Sequence, residues 1–255
     1  MKILIVSAHP EPASLTNSLR DVAAEQLRAD GHEVKISDLY AMNWKAAHDR
    51  DDFTNLTSDE PLSYPFASMG AAADRAFSQD IIEEQDKALW ADALILAFPL
   101  WWFSVPAILK GWIDRVWTAG VGYQISGARY GAGRMAGKRA MIMVMVGGGE
   151  SYFSARGVNG PIDDLLFPIN HGMLFYPGYD VLPSFVLHKT DRMEPERFDS
   201  AAEAVRERMR TLFTVAPIPY RRQAEDYTER KFELKEEIAA TAPPGFAAHI
   251  DHGRA

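Results

Sequence analysis

Five stretches of the chain carry apolar residues at strand spacing, and each is followed by apolar residues at helical spacing. Lys2–Ala8 is a continuous β-branched run of the kind found in a parallel strand covered on both faces. Behind it Ser14 is a good N-cap. Leu15, Leu19, Val22, Ala23 and Leu27 then keep helical period until Gly31 stops the helix. Val34, Ile36 and Leu39 alternate with polar residues as a second strand. The period then predicts a helix from Ser78 or Asp80 to Trp90, a strand over Ala93–Phe98 and a helix over Pro106–Thr118. Arg139–Val146 reads as the fourth strand and Ile162–Phe175 as a helix that Pro168 must kink or split. Val181–Leu187 is a fifth strand, placed at an edge by Pro183, and Pro195–Phe213 is the last helix.

Strict alternation of strand and helix requires right-handed crossovers and gives a parallel sheet with helices on both faces. Two segments fall outside it. Ala41–Phe77, with Pro61, Pro65 and Gly70 and no sustained period, reads as a long excursion. Thr214–Ala255, with four prolines and mixed charge, reads as an extended tail. The expected organisation is a catalytic domain over residues 1–213 and a C-terminal extension over 214–255 that packs at a subunit interface.

In such a sheet ligands bind beyond the carboxyl ends of the strands, and three loops there carry unusual residues. His9-Pro10-Glu11-Pro12-Ala13-Ser14-Leu15-Thr16-Asn17 brings hydroxyls and a helix N-terminus directly behind the first strand, which suits phosphate. Phe98-Pro99-Leu100-Trp101-Trp102-Phe103-Ser104-Val105-Pro106 sets three consecutive aromatics on a loop, more than a core readily buries. They suit the walls of a flat aromatic site or a subunit interface. Gly147-Gly148-Gly149-Glu150-Ser151-Tyr152-Phe153 offers consecutive backbone N–H groups at the same edge. A dinucleotide glycine fingerprint is missing from the first loop, and the Gly131–Gly137 run has the wrong spacing and precedes a strand.

Composition narrows the chemistry. The 255 residues are 47% hydrophobic and 24% charged, an ordinary globular mix, and the net charge of −8 disfavours a nucleic-acid partner. With no cysteine there are no disulfides, thiolate nucleophiles or iron–sulfur clusters. No pair of histidines resembles H-E-x-x-H, and His249 and His252, spaced to chelate a metal weakly, read as part of the tail. The nucleophile elbow G-x-S-x-G is missing, and no apolar run is long enough for a signal peptide or a membrane span. A metal-free cytoplasmic protein is the expectation.

The assembled motifs resemble the NAD(P)H:quinone oxidoreductase (DT-diaphorase) family of flavodoxin-like flavoproteins. The likeness rests on Ile5-Val6-Ser7-Ala8-His9, Ser37-Asp38-Leu39-Tyr40-Ala41-Met42, Gly157-Val158-Asn159-Gly160, Pro168-Ile169-Asn170-His171-Gly172-Met173-Leu174 and above all Phe98–Trp112. The resemblance implies a doubly wound five-stranded sheet with helices on both faces, and FAD rather than FMN. It also implies hydride transfer from NAD(P)H as co-substrate through the flavin to a quinone, with azo or nitro compounds as side substrates. By the match His9, Ser14, Leu15, Thr16 and Asn17 would hold the FAD phosphates and ribityl chain. Leu100, Trp101, Trp102 and Phe103 would flank the isoalloxazine ring, with Met145, Val146, Gly147 and Gly148 along its edge and Arg197 at the adenine end. Tyr123, Gln124, Ile125 and Tyr176 would line the quinone pocket from the second subunit of a homodimer with shared active sites. In the third loop Phe153 and Asn159 stand where the family places a tyrosine and a histidine, and Tyr152 is one position away. Tyr152, Asn159, Gly147 and Gly148 are therefore the candidates for proton and charge handling. A regulatory flavoprotein with little turnover, bound to a transport or signalling partner, is the alternative.

Overall fold

The computed structural model describes residues 1–57, 61–125 and 127–253. Strand β1 (Lys2–Ser7) pairs in parallel with β2 (Glu33–Asp38) on one side and β3 (Ala93–Pro99) on the other. β3 pairs with β4 (Arg139–Met145), and the outermost position beside β4 is shared by β5 (Asp180–Val181) and β6 (Phe185–Leu187). The resulting order, 2-1-3-4-5, is that of a flavodoxin-like doubly wound sheet. The expected fifth strand is an edge strand, and Pro183 cuts it in two because proline cannot donate to the ladder.

Helices cover both faces. α1 (Leu15–Ala29) and α6 (Pro195–Arg210) pack on one, where Leu19, Ala23 and Leu27 meet Ile3, Ile5 and the methionines of β4. α2 (Tyr64–Asp74), α3 (Gln79–Trp90), α4 (Ala107–Val116) and α5 (Ile162–Phe167) lie over the second core, around Leu94, Leu96, Phe98 and Trp112. Within 41–77, read from sequence as a long excursion with no sustained period, the structure has the helix α2. Ala67, Ser68, Gly70, Ala71, Ala72 and Ala73 leave too few large apolar side chains on it for a period to show. Residues 58–60 of that stretch lie outside the described set.

Pro168 splits the expected helix by type: the α-helix ends at Phe167 and a π-helix starts at Pro168. It keeps helical dihedrals, and from Pro168 to Phe175 the chain continues as a π-helix. The missing N–H removes an i→i−4 bond, and the wider i→i−5 pattern takes over, as in Tyr176 N–H to the His171 carbonyl at 3.1 Å. The C-terminal segment returns over the same protomer. Ile218 N–H donates to the Val181 carbonyl at 2.7 Å, which covers part of the sheet edge, and the Phe246 ring stacks on Phe167 at 4.3 Å. Short helices α7 (Gln223–Asp226) and α8 (Glu236–Ala239) lie along it.

His171 sits inside this aromatic packing, stacked between Phe167 and Tyr130, and burial pushes its pKa down to about 4. The unfolded chain therefore takes up this proton first as pH falls. The stability that depends on a neutral His171 is complete above about pH 6.5 and is lost progressively toward pH 4. Between pH 7 and pH 5 the wild type should lose about 2 kcal/mol more than His171→Phe. Urea titrations of both proteins at the two pH values check this, and parallel losses would refute it.

Candidate active site

The carboxyl ends of β1, β3 and β4 lie level, because Ser7 pairs with Ala97 and Pro99 with Met145. Their loops meet in a cleft of about 440 Å³. His9, Ser14, Leu15 and Thr16 form one wall, Pro99, Leu100 and Trp101 another, and Met145 and Gly147 the far side.

The first loop is built from its own hydrogen bonds. The Ser14 hydroxyl accepts from Asn17 N–H at 3.2 Å and caps α1. Asn17, almost fully buried, turns its amide back to donate to the Glu11 carbonyl at 3.0 Å and accepts from Arg20, which also reaches Ser7 and Asp38. Asn17 thus shapes the loop from behind and does not line the cleft. His9 Nδ1 accepts from Glu11 N–H at 3.1 Å, so the ring carries its proton on Nε2, and the ring lies 5.8 Å from that of Trp101.

Among the described residues, the amides of Leu15 and Thr16 have no partner, nor do those of Gly147 and Gly148. The cleft has no lysine or arginine, and it does have Glu11 and Asp191. A phosphate here would be held by amides, hydroxyls and the α1 N-terminus, not by a salt bridge.

The second loop is a tight turn. Trp101 and Ser104 exchange backbone hydrogen bonds at 3.2 and 3.0 Å, and Trp102 and Phe103 between them have φ of 49° and 60°. Large aromatics in the left-handed region are strained. Trp102 is 95% and Phe103 49% exposed, so both stand beside the cleft as an uncovered aromatic edge.

The third loop closes on itself. Asn159 N–H donates to the Tyr152 carbonyl at 3.0 Å, and a Cβ on Gly157 would lie 2.2 Å from that same oxygen. Phe153 is buried under Gly148, whereas Tyr152 is 55% exposed. Val146 is buried in the core, and Lys189 N–H and Thr190 N–H tie the Gly148 and Val146 carbonyls to the strand beyond.

Thr190 and Asp191 also line the cleft and were missed by sequence reasoning. They follow the split edge strand, so the same carboxyl-end rule applied to a fourth loop would have found them. Arg197 lies outside this cleft, in an adjoining hollow of about 510 Å³ with Lys189 and His188, and its guanidinium donates to their carbonyls.

Tyr123 and Tyr176 are elsewhere. Their rings meet edge to face at 5.9 Å in a separate cavity of about 560 Å³ that shares no lining residue with the first. α4 descends from the aromatic loop, so residues 118–125 and 127–138 lie toward the amino edge of the sheet, where Arg139 enters β4 beside Ala93. Gln124 and Ile125 are exposed there, their carbonyls accepting from Arg129.

A family model described as a flavodoxin-like fold matches residues 1–212. A ribosyldihydronicotinamide dehydrogenase-like protein of Penicillium crustosum is 48% identical over 98% of this chain and 95% of its own. Human ribosyldihydronicotinamide dehydrogenase [quinone] is 39% identical over 86% and 94%, and rat NAD(P)H dehydrogenase [quinone] 1 is 36% identical over 85% and 79%. The chain belongs to the NAD(P)H:quinone oxidoreductase family of flavodoxin-like flavoproteins. Family membership agrees with the solved structures. A Klebsiella pneumoniae protein assigned as a quinone reductase superimposes with a TM-score of 0.94 at 47% identity, covering 98% of this chain and all of that one. NAD(P)H:quinone oxidoreductase from Methanothermobacter marburgensis gives 0.65 at 25% identity, covering 83% and 96%. No helix among the described residues is long and apolar enough to cross a membrane.

Proposed function

We propose that this chain is a flavin-dependent reductase that moves two electrons from NAD(P)H to quinones, using FAD. The observation that carries the reading is the convergence of unpaired backbone amides and an aromatic wall at the switch point of the sheet. The donor set fits a flavin nucleotide: α1 amides for phosphate, Trp101 beside Leu100 for a flat ring, glycine amides for a carbonyl-rich edge. When bound, the flavin supplies the hydride chemistry. The second hollow, around Arg197, is lined by Lys189, next in sequence to Thr190 of the cleft, and its room beside the cleft favours FAD over a mononucleotide. Releasing the flavin by heat and weighing it tests this, and FMN alone would overturn it.

The chain's own contribution is position and polarity. Leu15 and Thr16 amides bind phosphate, Trp101 and Leu100 orient the ring, and Gly147 and Gly148 amides donate to its edge whatever the side chains are. Tyr152 is the exposed phenol of the third loop, beside the shorter Ser151, whereas Phe153 is committed to the core. As a single neutral donor it should matter little. Tyr152→Phe is expected to slow flavin reduction about tenfold or less in stopped flow.

The functional unit in this reading is a homodimer. One protomer has its aromatic edge uncovered at Trp102 and Phe103, while the tyrosine pair lies toward the opposite end of the sheet, so a second copy is what brings them together. Micromolar light scattering distinguishes this dimer from a monomer. Similarity also favours a second hydride donor. The relatives named for ribosyldihydronicotinamide stand at 48% and 39% identity, against 36% for the one named for NAD(P)H. Turnover with menadione should be compared for NADH, NADPH and reduced nicotinamide riboside. Negligible turnover with all three would favour the regulatory role.

A further inference from the structure

Under the returning C-terminal segment lies a cavity of about 330 Å³ that shares no lining residue with the cleft and meets the tyrosine cavity only at Tyr176. One side is made by the core, with Tyr130 and His171 stacked at 4.8 Å and Tyr176 beyond them. The other side is made by the segment itself, through Gln223, Tyr227 and His249, the last two joined by a 2.7 Å hydrogen bond. Its size is at the small end of ligand sites and suits one or two fused rings.

Three observations bear on what it holds. The walls are aromatic on both sides, which favours a flat ring. Arg129 is the one side chain of fixed charge in the lining. Its guanidinium lies 5.4 Å from the centre of the Tyr176 ring, and its Nη2 donates to the Ile125 carbonyl at 2.7 Å. Of the ten buried side-chain polar atoms without a partner among the described residues, three belong to this lining: Arg129 Nε, His171 Nε2 and Gln223 Oε1. A native fold rarely leaves such atoms unmatched without a reason. At the rim Phe232 is 60% exposed and held at φ 56°, a strained position for an aromatic and one that solvent gives no cause to keep.

We propose that this cavity is a binding site for a flat aromatic carboxylate, whose ring lies between Tyr130 and Tyr227 under Phe232 and whose anionic group is met by Arg129. Both histidines of the lining are held neutral near pH 7, because burial pushes their pKa values down, so Arg129 sets the charge preference alone.

The test is calorimetric titration of the flavin-loaded full chain with 2-naphthoate, and with 2-naphthamide as its uncharged counterpart. Naphthoate should bind with a dissociation constant of about 0.1–1 mM, as expected for a ligand of this size. Arg129→Gln should weaken it about tenfold or more and leave naphthamide unchanged, and Arg129→Lys should restore most of the loss. Phe232→Asn, which keeps the left-handed turn, should weaken both ligands. Because Arg129 also supports a loop, Arg129→Gln must first match the wild-type melting temperature, and if it does not, Arg129→Lys and Phe232→Asn decide. The proposal is overturned if no heat is seen up to about 10 mM. It is equally overturned if saturating menadione displaces naphthoate, or if naphthoate binds the folded variants as it binds wild type.

Discussion

Arg115→Met should melt roughly 10 °C below wild type, the largest loss expected from one substitution outside the cleft. Arg115 lies on α4 with 1% of its side chain exposed, and its whole donor fork is used. Nη2 reaches Asp52 at 2.9 Å, Nη1 reaches Asp80 at 2.8 Å and the Lys45 carbonyl at 3.0 Å, and the guanidinium covers the Trp44 ring at 4.5 Å. These contacts pin the stretch from Trp44 to Asp52 onto α4 and α3. Methionine keeps the volume but leaves Asp52, which is fully buried, with only Lys45 as a cationic partner. Removing one member of a buried pair costs about 3–5 kcal/mol because the other charge is stranded. Asp80 is less affected, since its side chain is 42% exposed and can turn to water. Changing Asp52 to leucine in the same chain should recover much of the loss. Thermal unfolding followed by circular dichroism at fixed flavin loading reads both variants. A single variant that melts with wild type would show that the pair is not anchoring the segment.

Leu15→Pro should raise the flavin dissociation constant about 10- to 100-fold while leaving the flavin-free protein near native stability. Leu15 is the first residue of α1, where proline is welcome because the N–H has no helical partner. Ser14 has φ −64° and ψ 155°, which suits a residue before proline, and its cap to Asn17 does not involve the changed amide. The substitution therefore removes the donor that the proposed site offers to a phosphate, together with the Leu15 side chain that packs against the core. A hydrogen bond to a charged group contributes about 1.5–3 kcal/mol. Leu15→Ala loses the side chain but keeps the N–H, and so measures the packing contribution. Fluorescence titration of flavin into the stripped protein gives both constants, and equal values for Pro and Ala would remove the Leu15 amide from the site.

The alternation of strand and helix was legible because parallel strands buried on both faces read as unbroken apolar runs, as Ile3–Val6 and Leu94–Phe98 do. The three loops were legible for a related reason: Ser14, the Trp101–Phe103 run and Gly147–Gly149 all sit where a strand ends, and capping α1 accounts for Ser14 alone. Other features rest on contacts that no local pattern encodes. α2 is hidden because its buried positions are Ser68 and Ala71, small residues that leave no apolar period to read. Asn17 looked like a ligand residue, since only the folded loop shows its amide spent on Glu11. Whether Tyr152 or Phe153 faces inward is decided by Gly157, which lets the chain pass within contact of the Tyr152 carbonyl.

The Trp102-Phe103 turn sets the interests of the fold and of the site against each other. Asn-Gly is the dipeptide that such a turn prefers, and each aromatic held there costs the protein roughly 1 kcal/mol or more. A library of variants ranked by heat survival would therefore drift toward asparagine and glycine at 102 and 103 and would climb in melting temperature as it did so. The survivors would be proteins that had shed the aromatic rim of their own cleft, so durability alone is a misleading criterion for improving this chain.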